Sequence, residues 1–214
     1  MNIKKGMLIN KVYEVTKKIH KSVNSSIYRA FDNKADRYVI VKFLEKKSDD
    51  PVNSELFRRE VRSLENIDSQ FVIRLIDYGE EVNFYYIVME QLKGSQTLET
   101  YLYEENDNIS IHDKLILFRK ILLGMEKSHD IGVYHRDLNP TNILVNEDEL
   151  KIIDFGISKI TKFIYEEKIT VSNHYTLGFA SPEQLNGENV DGASDIFSLG
   201  SILYYADCKI KLDK

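Results

Sequence analysis

Hydrophobic and polar positions alternate over short stretches in the first part of the chain, and runs rich in Ser, Asn and Asp separate these stretches. This pattern is typical of β strands joined by turns. Asp50 and Pro51 supply an N-cap and a first-turn proline for a single helix that ends near Asn66. Five strands are predicted, over 13–20, 27–31, 37–44, 71–77 and 84–90.

Near residue 110 the pattern changes to the three- and four-residue spacing of helices. A capping box over 110–113 opens a long helix. A hairpin over 143–153 follows, then a polar segment over 155–181 and a final helix over 193–206. The apolar positions predicted to face the core from the long helix are Leu115, Phe118, Leu122 and Met125. The pattern therefore predicts an α+β protein, with mostly strands before mostly helices.

Composition limits the classes of function. Of 214 residues, 43% are hydrophobic and 29% charged, which allows one sizeable core or two small ones. A net charge of −5 gives no electrostatic footprint for nucleic acid or for an anionic membrane. Neither residues 1–8 nor the apolar stretch 196–206 fits a signal peptide or a membrane span. The single cysteine, Cys208, suits a reducing compartment, so we expect a cytoplasmic protein, in its own cell or in a host cytosol.

Two charged residues stand in apolar surroundings. Lys42 interrupts the apolar strand over 38–44, and Glu60 shares a helix face with Phe57 and Val61. A buried charge without a partner is costly, so the simplest prediction is that Lys42 and Glu60 pair with each other. A lysine that extends its ammonium into water, with the glutamate at the edge of its helix, is an equally compatible alternative.

The strongest signals are two motifs in the second half of the chain. Residues 134–142 are Tyr-His-Arg-Asp-Leu-Asn-Pro-Thr-Asn, and Asp154-Phe155-Gly156 follows the predicted hairpin. In these motifs the sequence resembles the eukaryotic-type (Hanks-type) Ser/Thr protein kinase family, where two acids and an amide converge on a metal–phosphate group. Further matches in the family's order are 39–42, Glu60, 87–90, 181–183 and 195–200.

The resemblance implies a bilobal protein-kinase-like fold. The N-lobe, over 1–92, would bind nucleotide and contain a five-stranded antiparallel sheet with one helix. The C-lobe, over 93–214, would be mainly helical and carry the catalytic loop and the activation segment. In the family several helices follow the one that matches 195–206, so we expect a C-lobe lacking its last helices. Partly uncovered apolar residues on that helix would favour a protein partner or self-association; they are Ile196, Leu199, Ile202, Leu203 and Tyr204.

The resemblance also implies an activity, the transfer of the γ-phosphate of ATP to Ser/Thr hydroxyls of a protein substrate with Mg²⁺. Asp137 would accept the hydroxyl proton, and Asn142 and Asp154 would bind Mg²⁺. Lys42, fixed by Glu60, would contact the α- and β-phosphates. The implied nucleotide contacts are Ser22, Ser25, Ile27, Ile40, Lys42, Glu90, Leu92 and Leu144.

Three features depart from the family pattern. The segment 20–27 lacks all three glycines of the phosphate loop, and Ser22 and Ser25 are among the residues present instead. Glycine permits backbone amides to approach the phosphates closely, and serine permits this less well. Ile40 adds bulk where alanine is expected above the adenine ring. Asn139 replaces a lysine near the γ-phosphate, which removes a positive charge but keeps a hydrogen-bond donor, so it is counted among the catalytic candidates.

Two alternative functions stay open. Retention of four phosphate and metal ligands, Lys42, Asp137, Asn142 and Asp154, favours an active enzyme. The loop without glycines and Ile40 are compatible with a pseudokinase-like binding or regulatory module. A small-molecule phosphotransferase is the second alternative, because enzymes resembling aminoglycoside kinases share the H-x-D-x-x-x-x-N loop. Arg136 and the segment 177–183 favour a protein kinase over that second alternative.

Arg136, beside the proposed base, resembles the arginine of kinases that are switched by phosphorylation in the activation segment. Thr170 and Ser172 are the preferred hydroxyls, because Thr176 aligns with a substrate-pocket threonine. Pairing of Arg136 with a local carboxylate is the alternative.

Overall fold

The computed structural model of the chain describes residues 3–22, 25–46, 52–105, 108–155 and 178–208. The chain divides into two compact units. Unit 1 comprises Met1–Glu65 and Ile73–Gln91, and unit 2 comprises Asn66–Val72 and Leu92–Lys214. The assignment of nucleotide binding to 1–92 and of catalysis to 93–214 stays a prediction.

Unit 1 is built on a six-stranded sheet in the order β1-β2-β3-β4-β6-β5, and every neighbouring pair is antiparallel. The described sheet has one strand more than the sequence predicts. The additional strand, Leu8–Ile9, pairs with the start of β2 and is too short to show an alternating pattern. The strands are β1 (Leu8–Ile9), β2 (Tyr13–Lys21), β3 (Ser25–Asp32), β4 (Arg37–Glu45), β5 (Leu75–Glu80) and β6 (Phe84–Glu90).

The predicted strand over 71–77 is divided between the two units. Only its last residues lie in β5, which extends to Glu80. Val72 instead forms an isolated bridge with Ile152, and the Phe71 carbonyl accepts a hydrogen bond from the Ile152 N–H at 2.8 Å. One mostly apolar stretch, interrupted by Arg74, therefore pairs with strands of two different sheets, which periodicity alone does not reveal.

The core of unit 1 follows from the two-residue period of its strands. Alternate residues of β4, including Val41 and Phe43, are buried in one cluster with residues of the neighbouring strands. Phe43 makes edge-to-face contacts with Tyr28 and Phe84, with ring centroids 5.5 and 5.3 Å apart. Helix α1 (Val52–Asn66) packs an apolar face that includes Phe57, whose ring stacks on Tyr85 at 4.8 Å. The predicted helix is thus confirmed.

Unit 2 is mainly helical, as predicted, and also has a small antiparallel sheet of three strands. Its helices are α2 (Leu98–Glu105), α3 (Ile111–His129), α4 (Pro182–Leu185) and α5 (Gly192–Cys208), with a 3₁₀ turn at Pro140–Asn142. Its strands are β7 (Gln96–Thr97), β8 (Ile143–Val145) and β9 (Leu150–Ile152). The elements β7, α2 and α4 are absent from the prediction because they are too short to establish a period.

Helix α3 buries a different face from the one its apolar residues suggest. Phe118 and Met125 are buried as predicted, whereas Leu115 and Leu122 are about half exposed. The buried positions besides Phe118 and Met125 are Lys114, Ile121, Gly124 and Ser128. This face contains polar and small residues, which conceal it in the hydrophobic pattern. At about 100° per residue, Leu115 and Leu122 lie roughly 90–110° around the helix from the centre of the buried face.

Helix α5 is buried on one side only. Leu199 and Ile202 are buried, so two of the five apolar residues predicted to lack cover have it. Ile196, Leu203 and Tyr204 are exposed, and Phe197 is exposed beside them. No described helix has the length and apolar character that a membrane crossing needs.

The last turn of α5 is tied to the first turn of α3. The buried Lys114 ammonium donates a hydrogen bond to the Ala206 carbonyl at 2.8 Å. A cation at the carboxyl end of a helix satisfies a carbonyl that has no partner within the helix and complements the helix dipole.

Candidate active site

The two isolated charges of unit 1 form an ion pair. Val41 and Phe43 point into the core, so Lys42, between them on β4, projects from the opposite face. Its Nζ lies 2.9 Å from Oε1 of Glu60 on α1. Lys42 is 4% exposed and Glu60 0%, so the alternative of a lysine that reaches into water is excluded. The expected role of Lys42 toward phosphates stays a prediction.

The segment without glycines is a hairpin whose serines bind each other. The pairing of β2 with β3 continues to Lys21 and Ser26. The Ser22 N–H donates to the Ser25 carbonyl at 2.9 Å, and the Ser25 N–H donates to Ser22 Oγ at 3.1 Å. The two hydroxyl oxygens are 2.8 Å apart. Both serine N–H groups are thus engaged within the hairpin, whereas a phosphate loop directs such groups toward its ligand.

Two predicted adenine contacts lie on neighbouring strands close to Lys42. Ile27 of β3 pairs with Lys42 itself, and Ile40 of β4 pairs with Met89 of β6. Both isoleucines are partly exposed, which leaves their side chains accessible to a ligand. Ile40 has the bulk that distinguishes this chain from the family pattern.

The remaining predicted adenine contacts are distributed over both units. Glu90 ends β6 in unit 1, where its N–H and carboxylate bond to the backbone of Arg74 at 3.0 and 2.9 Å. Leu92 is buried in unit 2. Leu144 is half-buried in β8 of unit 2 and pairs with Thr97 of β7. The nucleotide-binding roles of these residues stay predictions.

The catalytic-loop motif of unit 2 is held by one buried carboxylate. Asp195, in the first turn of α5, accepts hydrogen bonds from the N–H groups of His135 and Arg136, both at 2.8 Å. Nε2 of His129 lies 2.9 Å from the same carboxylate. Asp195 is 1% exposed, and hydrogen bonds shielded from water are electrostatically stronger.

Asp137, the predicted base, follows at the centre of an amide network. Asn142 Nδ2 donates to the Asp137 carbonyl at 2.9 Å and to its Oδ2 at 3.2 Å. Asn139 Nδ2 donates to the same carbonyl at 3.0 Å, and Asn139 Oδ1 accepts from the Thr141 N–H at 2.9 Å. Asn139 is buried and caps the 3₁₀ turn Pro140–Asn142. Its side chain therefore stabilises the loop by hydrogen bonds to the backbone of Asp137 and Thr141.

Asp154, a predicted Mg²⁺ ligand, lies beside Asn142 through the β8–β9 hairpin. The Ile153 N–H donates to the Asn142 carbonyl at 3.0 Å, and Asp154 follows with a left-handed φ of +63°. His135 holds the same turn, because its Nε2 lies 2.8 Å from the Ile153 carbonyl and its ring centroid 4.8 Å from that of the buried Phe155. A carboxylate and an amide oxygen are hard donors of the kind that Mg²⁺ prefers, so the residues fit this ion.

One contact of the catalytic loop is missed by the sequence interpretation. Gln184 of α4 donates from Nε2 to the Arg136 carbonyl at 2.6 Å. The signal available was the Ser-x-x-Gln spacing of Ser181 and Gln184, since this is a capping box. The spacing identifies the start of a helix, but it does not reveal that the glutamine also reaches the catalytic loop.

The expected phosphorylation switch lies partly outside the described residues. Thr170, Ser172 and Thr176 fall in 156–177, which the structure does not describe. Within the described ranges, Arg136 Nε is buried with no hydrogen-bond partner. Pairing of Arg136 with a carboxylate is likewise absent there, so a phosphate partner stays a prediction.

Unit 1 contains a buried lysine–glutamate pair, and unit 2 contains a loop that presents an aspartate and an asparagine beside a second aspartate. Each set is of the kind found in phosphotransferases with a kinase-type site. The profile of the protein kinase domain family matches residues 13–212. The chain belongs to the protein kinase family.

Several similar proteins are named serine/threonine-protein kinases. A protein named probable serine/threonine-protein kinase in Clostridium acetobutylicum is 32% identical over 203 residues, covering 93% of this chain and 30% of its own length. PknL, a serine/threonine-protein kinase of Mycobacterium tuberculosis, is 30% identical over 201 residues, covering 92% of this chain and 49% of its own. PrkC, a serine/threonine-protein kinase of Bacillus subtilis, is 31% identical over 204 residues, covering 93% of this chain and 31% of its own length. The chain thus spans less than half the length of these relatives.

Solved structures confirm the predicted fold class. A crystal structure of the PknI kinase domain of Mycobacterium tuberculosis superposes with a TM-score of 0.72 at 18% sequence identity. The match covers 96% of this chain and 75% of that one. At this identity the likeness establishes the fold alone.

Proposed function

We propose that this chain is the catalytic part of a serine/threonine protein kinase that transfers the γ-phosphate of ATP to a hydroxyl of a protein substrate. The observation that carries the proposal is the arrangement in unit 2, where Asn142 bonds to Asp137 and also adjoins the turn of Asp154. Hydrogen bonds of 2.9–3.2 Å thus join the residue proposed as the base to one proposed metal ligand, and the other proposed ligand, Asp154, follows Ile153 in the adjoining turn. Membership of the protein kinase family supports the same conclusion.

In the proposed reaction, Asp137 accepts the proton of the substrate hydroxyl as that oxygen bonds to the γ-phosphorus. The bond from the γ-phosphorus to its bridging oxygen breaks, and ADP leaves. Asn142 orients Asp137 by donating to its Oδ2 at 3.2 Å, and Asn139 fixes the loop by donating to the Asp137 carbonyl at 3.0 Å. Mg²⁺ held by Asn142 and Asp154 would neutralise charge that develops on the phosphates. We assign Asn139 a positioning role, because its amide already bonds within the loop.

The test is transfer of labelled γ-phosphate from ATP to the protein itself and to a generic Ser/Thr-containing acceptor. We expect transfer by the wild type and a loss of at least about a hundredfold in Asp137→Asn, since general base catalysis contributes on this order. Phosphoamino-acid analysis should find phosphoserine or phosphothreonine. Removal of Mg²⁺ with a chelator should abolish transfer.

Two controls make the experiment decisive. Asp154→Ala should lose transfer, whereas Tyr103→Ala, at an exposed position of α2, should retain it. Equal incorporation by the wild type and Asp137→Asn would contradict the proposal. Turnover that depends on added small acceptors and never labels protein would instead favour a small-molecule phosphotransferase.

A second candidate is a pseudokinase-like binding module, and the hairpin favours it. Ser22 and Ser25 engage their N–H groups with each other, so these groups are not directed at a phosphate in the described hairpin. Such a module would bind a partner without turnover. A thermal shift experiment separates the two candidates, since a ligand at 100 times its Kd stabilises a protein by about 2.7 kcal/mol. Absence of any shift at millimolar Mg-ATP would favour the binding module.

We also propose that the exposed apolar residues of α5 bind a second copy of this chain. Ile196, Phe197, Leu203 and Tyr204 form part of the exposed surface of a single helix. Exposed apolar patches of this kind are typical of interaction surfaces. A copy of the same chain is the partner that is always present at matching concentration.

A further inference from the structure

The peptide that precedes the proposed base has a backbone conformation that needs support. Arg136 has a φ of +66°, in the left-handed region of backbone conformation that residues with a Cβ rarely adopt. Such a residue persists where its surroundings over-determine it, and these places cluster at functional sites. The orientation of Asp137, the next residue, depends on this peptide.

Both polar groups of Arg136's backbone are held by buried side chains. The Arg136 N–H donates to Asp195 Oδ1 at 2.8 Å, and the Arg136 carbonyl accepts from Gln184 Nε2 at 2.6 Å. Asp195 is 1% exposed and Gln184 3%. The two contacts bind the residue from its amide side and its carbonyl side, which fixes its rotation about both neighbouring bonds.

The orientation of the Gln184 amide is itself fixed. Its Oε1 accepts a hydrogen bond from the Ser181 N–H at 3.0 Å, which directs Nε2 toward the Arg136 carbonyl. Ser181 Oγ in turn accepts from the Gln184 N–H at 3.4 Å. One side-chain amide therefore completes the cap of α4 and supports the catalytic loop at the same time.

Helix α4 rests on α5, the helix that carries Asp195. The Ser194 hydroxyl donates to the Glu183 carboxylate, and the Ser198 hydroxyl donates to the Phe179 carbonyl at 2.8 Å. Phe179 is buried. Both hydrogen bonds to the Arg136 backbone thus depend on α5. Asp195 belongs to α5 itself, and Gln184 belongs to the segment 178–185 that packs on it.

We propose that Gln184 is a positioning residue that sets the orientation of Asp137 through the Arg136 carbonyl. The inference rests on the proposed function, in which Asp137 accepts the substrate proton. It extends that function by making the rate of transfer depend on the hydrogen bond between α4 and the catalytic loop. Displacement of a catalytic group by a fraction of an ångström is costly in kcat and leaves ATP binding little changed.

Replacement by glutamate gives the sharpest test. In Gln184→Glu an ionised carboxylate still accepts from the Ser181 N–H, but it cannot donate to the Arg136 carbonyl. When protonated, the same side chain regains a donor. We expect kcat to fall on the order of tenfold at pH 8.5 with the KM for ATP nearly unchanged. Because position 184 is buried, the pKa of a glutamate there is raised, so the ratio of wild-type to variant kcat should decrease toward pH 6.

Other titrating groups near this peptide are common to both proteins. His129, His135, Asp137, Glu183 and Asp195 lie on the elements packed around it, and their effects cancel in the ratio of the two kcat values. Gln184→Met lacks a donor at every pH, so its deficit in kcat should not vary with pH. A merely structural role for the glutamine would not produce this difference between the two variants.

Ser181→Ala separates the helix cap from the loop contact. It removes the hydroxyl of the capping box but keeps the Ser181 N–H and Gln184, so its kcat should remain close to that of the wild type. Circular dichroism and the Tm of each variant check that it is folded. A loss in Ser181→Ala equal to that in Gln184→Met would overturn the proposal, as would wild-type kcat for Gln184→Glu at every pH.

A second readout does not require activity. Hydrogen exchange followed by mass spectrometry should show faster exchange over 135–137 in Gln184→Met and unchanged exchange there in Ser181→Ala. If the wild type transfers no phosphate, the proposed function fails, while this exchange experiment still tests the positioning role. Unchanged exchange over 135–137 in a folded Gln184→Met variant would refute that role.

Discussion

At the scale of single residues, Lys42 and Glu60 illustrate how far charge alone can be interpreted. A lysine in an apolar strand and a glutamate on an apolar helix face predict each other as partners, and the structure contains the pair at 2.9 Å. Motif spacing likewise identifies Asp137, Asn142 and Asp154 as candidates, and their catalytic and metal-binding roles stay predictions. The role of Gln184 is not predictable, because its partner is a backbone carbonyl, and backbone groups look alike in every sequence.

The buried pair leads to a prediction for stability. Glu60→Gln removes the buried negative charge 2.9 Å from the Lys42 ammonium and should reduce the free energy of unfolding by about 3–5 kcal/mol. The double variant Lys42→Met with Glu60→Leu removes both charges and should recover most of that loss, although phosphate transfer should be absent. Urea denaturation measures both effects. A double variant no more stable than Glu60→Gln would show that the cost arises from packing.

Tyr13 leads to a prediction for alkaline pH. Burial and then the hydrogen bond with Asp77 raise the pKa of its phenol well above the usual range near 10, and burial raises the pKa of Tyr86 as well. The folded state therefore keeps protons that the unfolded chain releases, so stability is complete below pH 10 and falls as the pH rises above it. Thermal melts between pH 9 and 11 measure this fall. Tyr13→Phe should lower the Tm at pH 8, but its Tm should fall less steeply with pH above pH 10. An equally steep fall in the variant would exclude Tyr13 as a source of the loss of stability at alkaline pH.

At the scale of elements, most long segments could be predicted, but the buried face of α3 could not. The strands β2 to β4 and β6 follow from short alternating or apolar stretches that polar turn residues separate. The face of α3 does not follow from its apolar residues, since Lys114 is buried where its ammonium finds the Ala206 carbonyl. Burial of this lysine depends on a contact 92 positions away in the sequence, which no local window contains.

The β2–β3 hairpin leads to a prediction for nucleotide binding. Replacing Ser22 and Ser25 together by glycine removes the mutual hydroxyl contacts and permits the backbone conformations that a phosphate loop uses. We expect tighter binding of Mg²⁺ with a non-hydrolysable ATP analogue, measured by calorimetry, and a lower Tm. Ser22→Ala with Ser25→Ala is the matched control, because it removes the hydroxyls without freeing the backbone. If the alanine pair tightened binding as much as the glycine pair, backbone freedom would not be the cause.

At the scale of the whole molecule, the exposed apolar residues of α5 lead to a prediction for assembly. We expect dimers at micromolar concentration in sedimentation velocity and binding of a hydrophobic dye. Phe197→Glu, which places a charge on that surface, should shift the protein toward monomer and reduce dye binding. Tyr103→Glu, at an aromatic residue of α2 that is more exposed than Phe197, is the control and should change neither. A wild type that stays monomeric and binds no dye would contradict the proposed self-association.

The contact between Lys114 and Ala206 also has a consequence for the order of folding. Closing a loop of this length is slow compared with forming a helix or a hairpin, since the entropy of closure precedes any gain from the contact. During synthesis, the ammonium of Lys114 has no Ala206 carbonyl to bind until the ribosome has nearly completed the described part of α5. Docking of α3 on α5 therefore follows the synthesis of α5, whereas the part of α3 around Gly124 lies against Phe71 and Ile152, which are synthesised earlier.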